Sequence, residues 1–518
     1  MPSSSLQTAG LVLISCASYI LFRSYVRCRK SRLPPGPRGF PIVGNFYGLP
    51  KTHGWLAFME MSHKYNSDII SLNVMGGTVI VLNSAASVDA LLEDKSAIYS
   101  DRYCTYHWPP FVGFGWNFGL MPYGAKWKSE LSFRVFVQQF QPSEVLLHRP
   151  TELDAARILL QRLLESPTKF ERHLRHMAGM VILSTAYGID IEPENDPYID
   201  ISEKTQVSIS RITKQGAYLV DHFPFLKYVP EFFPGASFKR EAREWNKAVS
   251  AMLEVPYAFV KASLAAGTAK SSIASRALEE IKGAPDAEEQ EIVLKDILGS
   301  RYCGADTTVS ALSTFILAMT MYPDVQKKAQ AAVDEVVGQD RLPDFNDNIP
   351  YVDAVVREVL RWRPPLNQVF HTHAVMQDDI YNGFHIPAGA TVLGNSWHVL
   401  AILHDEAIFG PHTDEFIPER WLTKDGEINT GMRGPDAAFG FGRRGCPGKD
   451  MAQWSVWICV ISILATFNIK KNMNEKGVPI QPSGEYTSRV SSYPVPHKCD
   501  IVPRSETARA MIRRAVHD

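Results

Sequence analysis

Along most of this chain, apolar residues recur every three or four positions, the spacing that places them on one face of an α-helix. A shorter stretch, residues 69–82, instead has β-branched residues on either side of Gly76-Gly77 and predicts a β-hairpin. Short strands are also predicted near residues 380–394, and residues 268–290 are expected to form an exposed connection. We therefore predict a mainly α fold with a small β subdomain. The predicted helices cover residues 151–165, 172–187, 238–264, 292–321, 323–338, 350–362 and 447–467.

The first part of the chain combines an apolar run with a basic flank. Residues 6–22 are mostly apolar, at the short end of the roughly 20 residues that span a bilayer. Arginines and a lysine follow at once, and such a flank stays on the cytosolic side. We predict a short lumenal N-terminus (1–5), a transmembrane anchor (6–22), a basic stop-transfer and Pro-rich hinge (23–45) and a single large domain (46–518). A cleavable signal peptide is the alternative, but it carries its positive charge before the apolar run.

Composition narrows the class of protein. The chain of 518 residues has a formal net charge of -1, so it lacks the basic excess that neutralises phosphates, and we expect no nucleic-acid partner. Its seven cysteines are scattered without a Cys-x-x-Cys pair. This spacing argues against a disulfide framework and against a structural zinc site, and it favours a body that faces the cytosol.

One glycine-rich loop carries candidate chemistry. Residues 439–448 read Phe-Gly-Phe-Gly-Arg-Arg-Gly-Cys-Pro-Gly and precede a predicted helix, whose positive end would favour a thiolate at Cys446. A thiolate in such a place can bind haem iron. Three other interpretations exist. The glycines formally match a dinucleotide-binding fingerprint, but no strand precedes them. Cys446 alone could be a buried apolar residue or a nucleophile, although no paired His motif stands beside it.

The loop resembles the signature of the cytochrome P-450 family, Phe-x-x-Gly-x-Arg-x-Cys-x-Gly, at every fixed position: Phe439, Gly442, Arg444, Cys446 and Gly448. The resemblance extends from the Pro-rich hinge onward. The residues of several short segments are similar to those of the family's basidiomycete members. It implies the cytochrome P-450 fold, in which a long central helix lies over haem b and the thiolate loop lies beneath it. Cys446 would be the axial iron ligand, and the residues around the cofactor would be Phe439, Gly440, Arg444 and Gly448.

A second motif lies in the middle of the helix predicted over 292–321. Residues 303–308 read Cys-Gly-Ala-Asp-Thr-Thr, and Gly, Asp and Thr are weak helix formers, so the segment predicts either a tolerated kink or a site. It resembles the oxygen-activating motif of the family. The resemblance implies that Thr307 hydrogen-bonds the bound oxygen and that Asp306 relays protons.

Charged residues further along suggest a structural element. Glu358 and Arg361 stand three positions apart on one predicted helix face, which alone would be a surface pair of little value. Together with the segment Phe416-Ile417-Pro418-Glu419-Arg420 they resemble a family element in which Glu358, Arg361 and Arg420 form a buried triad.

The predicted clamp for the haem propionates is less regular. Trp127 lies where the family has a propionate-binding tryptophan, but Leu131 occupies the position of the usual arginine four residues later. Lys128 or Arg134 is the candidate replacement, and His373 is a further candidate propionate ligand. Residues 398–400 are extra relative to the spacing that the family usually has between Trp397 and the His404-Asp405 pair. They are expected to change the local geometry.

The segment between Asp101 and Tyr123 is rich in aromatic residues, which is unusual because loops are seldom so apolar. It could simply pack into the core, but by its position it resembles the substrate-covering loop of the family, which would line the substrate pocket. Such a pocket suits a lipophilic substrate: a terpenoid, a steroid or a polycyclic aromatic. The residues expected to line it are Tyr106, Trp108, Phe111, Phe114, Tyr302, Leu366, Val369 and Val490.

The resemblance therefore implies an enzyme of the endoplasmic reticulum membrane, single-pass, with a haem-binding catalytic domain (46–518) facing the cytosol. It would insert one atom of O2 into a lipophilic molecule in secondary metabolism or xenobiotic oxidation. Electrons would come from NADPH through NADPH-cytochrome P-450 reductase, with cytochrome b5 as a second candidate donor, and would enter at a face containing Lys126, Lys128, Arg443, Arg444 and Lys449. Two alternatives remain: a haem-thiolate isomerase or dehydratase that does not use O2, and a non-catalytic haem-binding protein.

Overall fold

The structure is a computed structural model. It describes residues 32–50, 54–102, 112–128, 140–212, 218, 220, 224–366, 372–395 and 402–515. The predicted anchor (6–22) and most of the basic flank lie outside these residues. In the described part, one helix, Ser237–Ala265, is long and apolar enough to cross a membrane by length and composition alone, a property that core helices share.

Helices make up most of the described chain, as the periodicity predicts. The longer ones are α1 (Gly54–Tyr65), α2 (Arg149–Glu165), α3 (Phe170–Tyr187), α4 (Pro197–Ile212), α5 (Ser237–Ala265), α6 (Ile273–Ile281), α7 (Ala287–Cys303), α8 (Ala305–Met321), α9 (Pro323–Val337), α10 (Pro350–Trp362), α11 (Lys449–Thr466) and α12 (Glu506–Arg514). Single turns of helix cover Ala85–Val88, Asp89–Asp94, Ser96–Tyr99, Ala125–Lys128, Pro142–Leu146 and Glu406–Phe409.

The sheets are small. The predicted hairpin is confirmed as β1 (Ile69–Val74) and β2 (Gly77–Leu82), with the turn at Met75 and Gly76, both in the left-handed region. The remaining strands are β3 (Thr372–Ala374), β4 (Asp379–Tyr381), β5 (Phe384–Ile386), β6 (Thr391–Gly394), β7 (Phe467–Lys471) and β8 (Cys499–Pro503). One sheet has the order β1-β2-β6-β3, in which β2 and β6 are parallel, and β4-β5 and β7-β8 form antiparallel pairs.

The prediction of an exposed connection over residues 268–290 was wrong in its middle. Helix α6 begins after Ser272, whose hydroxyl accepts the Ser275 N–H at 3.1 Å while the Ser275 hydroxyl accepts the Ser272 N–H at 2.8 Å. This reciprocal cap satisfies two amides that a helix start leaves open. Ile273 and Ala274 then pack into the interior, so a short helix forms in a polar segment.

Helix α8 lies in the middle of the core. Every residue from Val309 to Thr320 is buried, so the helix is covered on all sides. Helices α3, α9, α10 and α11 surround it, together with strand β7. The element that carries the predicted oxygen-activating motif is therefore held rigidly at one end.

The predicted continuous helix over 292–321 is broken at Gly304. The Gly304 N–H donates to the Arg301 carbonyl at 3.0 Å, and the Thr307 N–H donates to the Gly304 carbonyl at 3.2 Å, so the turn is tightened to three residues. The Thr307 hydroxyl also donates to the Gly304 carbonyl at 2.8 Å. Side-chain hydrogen bonds to backbone carbonyls favour such a break.

The described part of the predicted hinge packs against the body. The Ser71 N–H donates to the Pro35 carbonyl at 2.9 Å, and the Ser71 hydroxyl donates to the Pro34 carbonyl at 2.6 Å. A Cβ at Gly36 would lie 1.8 Å from the Ser71 carbonyl oxygen, so only glycine permits this approach. The extended segment is thus hydrogen-bonded to the edge strand β1.

A buried carboxylate joins α10 to the segment before the thiolate loop. The Glu358 side chain accepts two hydrogen bonds from Arg361, each 2.8 Å, and one from Arg420 at 3.1 Å. The Ile417 N–H and the Trp421 indole N–H, both 2.9 Å away, complete its coordination. The structure thus brings the three predicted residues together, and Glu358 and Arg361 are fully buried.

Replacement of Glu358 by Gln is expected to lower the free energy of unfolding by about 3–5 kcal/mol, because it leaves the buried Arg361 cation uncompensated. The matched control is Asp324→Asn, which removes an exposed pair with Lys327 at the same i, i+3 spacing and should cost less than about 1 kcal/mol. Urea unfolding of both variants measures the difference. Equal costs would show that the triad does not stabilise the fold.

Candidate active site

A cavity of about 250 Å³ lies between the start of α8 and the glycine-rich loop. Its lining is mainly apolar, and both Cys446 and Thr307 contribute to it. A second cavity of about 140 Å³ also contains these two residues and extends toward Met177 and Met451. The larger space is called the main cavity below. It is also lined by Arg102, Asn117, Gln206, Ala311, Leu366, His373, Phe439, Gly440, Arg444, Val490 and Ser491.

The loop beneath the main cavity needs its glycines. Gly440 and Gly442 have φ values of 87° and 54°, in the region that side chains rarely adopt. A Cβ at Gly442 would lie 2.2 Å from the carbonyl oxygen of Leu92. The Cys446 N–H donates to the Phe439 carbonyl at 2.7 Å and closes the loop. The sequence therefore fixes where the thiol points.

The exposed surface of the Cys446 side chain faces the two cavities inside the protein. Enclosure by protein atoms raises the pKa of Cys446 above its ordinary value, while a hydrogen bond from the Gly448 backbone lowers it by less. Burial thus opposes the effect that the sequence analysis expected from the positive end of the following helix. A metal cation bound at this sulfur would favour its deprotonated form.

Arg444 is a buried cation at one edge of the main cavity. Its guanidinium donates to the carbonyls of Ser100 at 2.7 Å and Met121 at 2.8 Å, and it lies 4.4 Å from the centre of the Trp127 ring. These contacts tie the loop to the segment around residues 100–121. The side chain is thus positioned by the protein and still borders the cavity.

Two further basic side chains lie on the main cavity. His373 on β3 is buried, with its Nδ1 2.6 Å from the Tyr99 carbonyl oxygen. Arg102 donates to the carbonyls of Thr372 at 2.8 Å and Gly119 at 3.1 Å. The sequence analysis did not identify Arg102. Its only signal was a single basic residue at the start of the aromatic segment.

The structure separates the other predicted propionate ligands from the cavities. Trp127 is buried beneath Arg444 and borders neither cavity. Lys128 is exposed, and its ammonium lies 4.4 Å from the centre of the Tyr123 ring, so its assignment to the cofactor is not supported. Leu131, Arg134 and the extra residues 398–400 lie outside the described residues.

Thr307 and Asp306 point in different directions. Thr307 borders both cavities, as predicted for a residue above the thiol. The Asp306 carboxylate instead accepts a short hydrogen bond from the Tyr493 hydroxyl, which also lies 3.0 Å from the Asp306 carbonyl oxygen. Asp306 borders neither cavity, because successive helical residues lie about 100° apart around the axis.

The predicted substrate-pocket residues fall into three groups. Leu366 and Val490 border the main cavity. Phe114 and Tyr302 do not, which corrects the prediction: Phe114 is fully buried in a cluster with Trp116, and the Tyr302 hydroxyl donates to the Tyr198 carbonyl. Tyr106, Trp108, Phe111 and Val369 lie outside the described residues.

Arg301, one turn before Gly304, is buried at the second cavity. It donates to the Met451 sulfur at 2.8 Å, and its guanidinium lies 4.9 Å from the centre of the Phe140 ring. Burial lowers the pKa of Arg301 to about 10. Burial also raises the pKa of the nearby Glu152, to about 7, although the Ser455 hydroxyl donates to it at 2.6 Å. The second cavity is therefore bordered by a charged group as well as by apolar ones.

Comparison with known proteins agrees with this geometry. A sequence model of the family described as cytochrome P-450 matches residues 34–496. A cytochrome P-450 monooxygenase of Armillaria gallica is 42% identical over 93% of this chain and 93% of its own length. The monooxygenase eriA of Hericium erinaceus is 40% identical over 100% and 97% of the two chains. The tryptamine 4-monooxygenase of Psilocybe cyanescens is 36% identical over 96% and 97%.

The match covers both the motif-bearing segments and the core helices, and the curated relatives are named as monooxygenases. The chain therefore belongs to the cytochrome P-450 family, as one of its fungal-type monooxygenases.

Proposed function

We propose that this chain inserts one atom of O2 into a neutral lipophilic small molecule, with electrons from NADPH supplied through a separate reductase. The observation that carries the proposal is the placement of Cys446 and Thr307 on the same two cavities, one from the loop below and one from the helix break above. A thiol ligand and a hydroxyl on opposite sides of one apolar space are what oxygen activation requires.

Family membership implies haem b as the cofactor and dependence on O2. The residues present fit this group, which is flat and apolar and carries carboxylates at one edge. Cys446 would bind the iron, and Phe439, Gly440 and Gly448 would border the ring. A Cβ at Gly448 would lie 3.2 Å from Phe140, so the glycine leaves room beside the thiol. When bound, haem supplies the chemistry that activates O2.

The basic side chains Arg102, His373 and Arg444 border the same cavity and would hold the cofactor carboxylates. Arg444 is fixed by backbone carbonyls, so its position does not depend on the cofactor. Arg102 would take the part for which the sequence analysis offered Lys128 or Arg134, because Leu131 occupies the position of the usual arginine. Trp127 would act indirectly, by supporting the Arg444 guanidinium from below.

Thr307 would hold a proton close to the reacting oxygen. Its hydroxyl donates to the Gly304 carbonyl at 2.8 Å, which orients the oxygen lone pairs toward the cavity. A hydroxyl held in this way can accept a hydrogen bond and pass a proton on. Its effect would be to direct electrons into product and away from hydrogen peroxide.

The charge of the main cavity limits the substrate. Among the described residues that border it, Arg102, His373 and Arg444 are basic, and none is Asp or Glu. The neighbouring segments 103–111 and 367–371, which lie outside the described residues, also contain no Asp or Glu in the sequence. A cationic amine would lack a counter-charge there, so the pocket favours a neutral terpenoid, steroid or polycyclic aromatic over an amine such as the tryptamine named for one relative.

NADPH-cytochrome P-450 reductase, with cytochrome b5 as a second candidate, would dock where the thiolate loop is nearest the surface. Arg443 is exposed and donates to the Tyr123 hydroxyl at 2.6 Å, beside Lys128. Lys126 and Lys449 are also on this side but are paired with Asp296 and Asp436. Arg444 is buried, so it cannot belong to the predicted docking face. Residues 6–22 would anchor the chain in the endoplasmic reticulum membrane, with the domain 46–518 in the cytosol.

Cys446→Ala is expected to abolish the red-shifted absorption band of the reduced, carbon monoxide-bound protein, because that band requires thiolate ligation. The matched control is Cys459→Ala on the following helix, since Cys459 is buried and borders neither cavity; it should keep the band. A wild-type protein without this band would refute the proposed function. A protein that shows the band but never consumes NADPH with reductase would instead be an isomerase or dehydratase.

Thr307→Ala is expected to raise severalfold the hydrogen peroxide released per NADPH oxidised, because proton delivery to the cavity is impaired. The neighbouring variant Thr308→Ala should change this ratio much less. Peroxide and NADPH are measured together in the presence of reductase. An unchanged ratio in Thr307→Ala would remove the assigned role.

Arg444→Met is expected to lower the haem content of purified protein and to reduce stability by roughly 3 kcal/mol, because buried carbonyls lose a charged donor. Arg443→Met, one residue earlier and exposed, is the control and should leave both quantities close to wild type. Haem is quantified per protein, and unfolding is followed in urea. Normal haem content in Arg444→Met would contradict the proposed clamp.

A further inference from the structure

Arg301 on α7 is a buried cation that borders the second cavity, as do Cys446 and Gly448. Its Nη2 group donates to the Met451 sulfur at 2.8 Å, and a thioether sulfur is only a weak acceptor. In the described part of the chain, Nε and Nη1 of the same guanidinium are buried and have no hydrogen-bond partner. Two strong donors of this cation are therefore left unused beside the thiol.

Glu152 on α2 is the carboxylate that interacts with Arg301. Burial raises the pKa of Glu152 to about 7, while the hydrogen bond from Ser455 and then the charge of Arg301 lower it by less. Its Oε1 accepts from the Ser455 hydroxyl at 2.6 Å, whereas Oε2 is buried and, among the described residues, has no partner. Glu152 borders neither cavity. The guanidinium thus faces the second cavity, and its counter-charge is set back from it.

Two further ionisable groups that interact with Arg301 are uncharged. Burial, followed by the charge of Arg301, lowers the pKa of His148 to about 3, so the imidazole is neutral. Burial raises the pKa of Tyr187 well above its ordinary value, so the phenol keeps its proton. Burial also lowers the pKa of Arg301 itself, to about 10, which leaves the guanidinium protonated near neutral pH. The positive charge at the cavity is therefore balanced only in part, by Glu152.

Packing does not explain an arginine at this position. The wall around it is apolar, since Phe140, Met177 and Val181 border the same cavity. Burial of a cation with unused donors in such surroundings costs stability, and an apolar side chain would fill the space without that cost. The charge of Arg301 is therefore the property that calls for an explanation.

A positive charge at the edge of a cavity stabilises negative charge that the cavity gains, and the effect is stronger where water is excluded. Reduction of an iron bound at Cys446 transfers one electron from the reductase to the metal and adds one negative charge to the site. We propose that Arg301 raises the reduction potential of this iron through its charge, and that Glu152 limits the increase. The inference rests on the proposed function, because it requires haem ligated by Cys446.

The test is a redox titration of the purified full-length haem protein at about pH 8, followed by absorption, without substrate or reductase. Arg301→Met should lower the midpoint potential, so that the ratio of reduced to oxidised iron at a fixed potential falls by roughly 10-fold, equivalent to about 59 mV for a one-electron couple. The matched control is Arg149→Met, which removes a cation that also interacts with Glu152 but borders neither cavity. The control should shift the potential much less.

Glu152→Gln tests the opposite direction. At about pH 8 the wild-type carboxylate is ionised, because its pKa is about 7. The amide keeps an oxygen that can accept from Ser455 and removes the negative charge, so the cation is no longer balanced and the midpoint potential should rise. This variant decides the question even if Arg301→Met binds no haem, since an unraised potential in Glu152→Gln would refute the proposal.

Shifts of opposite sign in Arg301→Met and Glu152→Gln would support a charge effect, because damage to the fold or entry of water would move both potentials in the same direction. Shifts of the same sign, or an equally large shift in Arg149→Met, would refute it. Urea unfolding of Arg301→Met gives an independent check: the free energy of unfolding should not fall, whereas a structural role for Arg301 predicts a clear loss.

The reduced carbon monoxide spectrum of each protein is recorded before the titration. A wild-type protein without the red-shifted band refutes the proposed function itself. A normal band in every protein, together with unmoved midpoint potentials, refutes the role of Arg301 alone.

Discussion

A buried carboxylate can persist in a protein interior only if all its lone pairs are used, and Glu358 meets this requirement with five donors. Two come from its own helix, and three come from residues 417–421. The carboxylate therefore fastens α10 to the chain that leads into the thiolate loop. Removing any one of these donors would leave part of the Glu358 charge unpaired in the interior, which is costly. The network therefore favours one position of residues 417–421. The place of the loop beneath α8 follows from that.

Arg444 plays the complementary part on the other side of the loop. It is a buried cation that collects carbonyl oxygens from Ser100 and Met121, whereas Glu358 is a buried anion that collects N–H groups. The thiolate loop thus lies between two charge-centred networks that reach distant parts of the chain. Between them, Gly442 approaches Leu92 too closely for any side chain. Cys446 is placed by these contacts, together with the hydrogen bond from its own N–H to the Phe439 carbonyl.

Much of the fold was predictable from the sequence, because helix periodicity and the thiolate motif depend on neighbouring residues. The bounds of α10 agree with the prediction at both ends, and the hairpin at residues 69–82 is confirmed. Directions of side chains around the break at Gly304 were not predictable. They depend on contacts such as Tyr493 with Asp306, which join residues 187 positions apart. Arg102 was missed for the same reason, since its partners lie on β3 and near the far end of the aromatic segment.

The aromatic segment starts and ends at fixed points. The Tyr123 N–H donates to the Asp101 carboxylate at 2.7 Å, and Arg102 reaches the Gly119 carbonyl. A loop whose ends are fastened to each other and to the sheet can exchange its middle residues at little cost to its surroundings. Because these contacts join the two ends directly, the place of Arg102 beside the main cavity rests on its bonds to the carbonyls of Gly119 and Thr372. The basic edge of the cavity is thus held by main-chain carbonyls, which any side chain at those positions would supply.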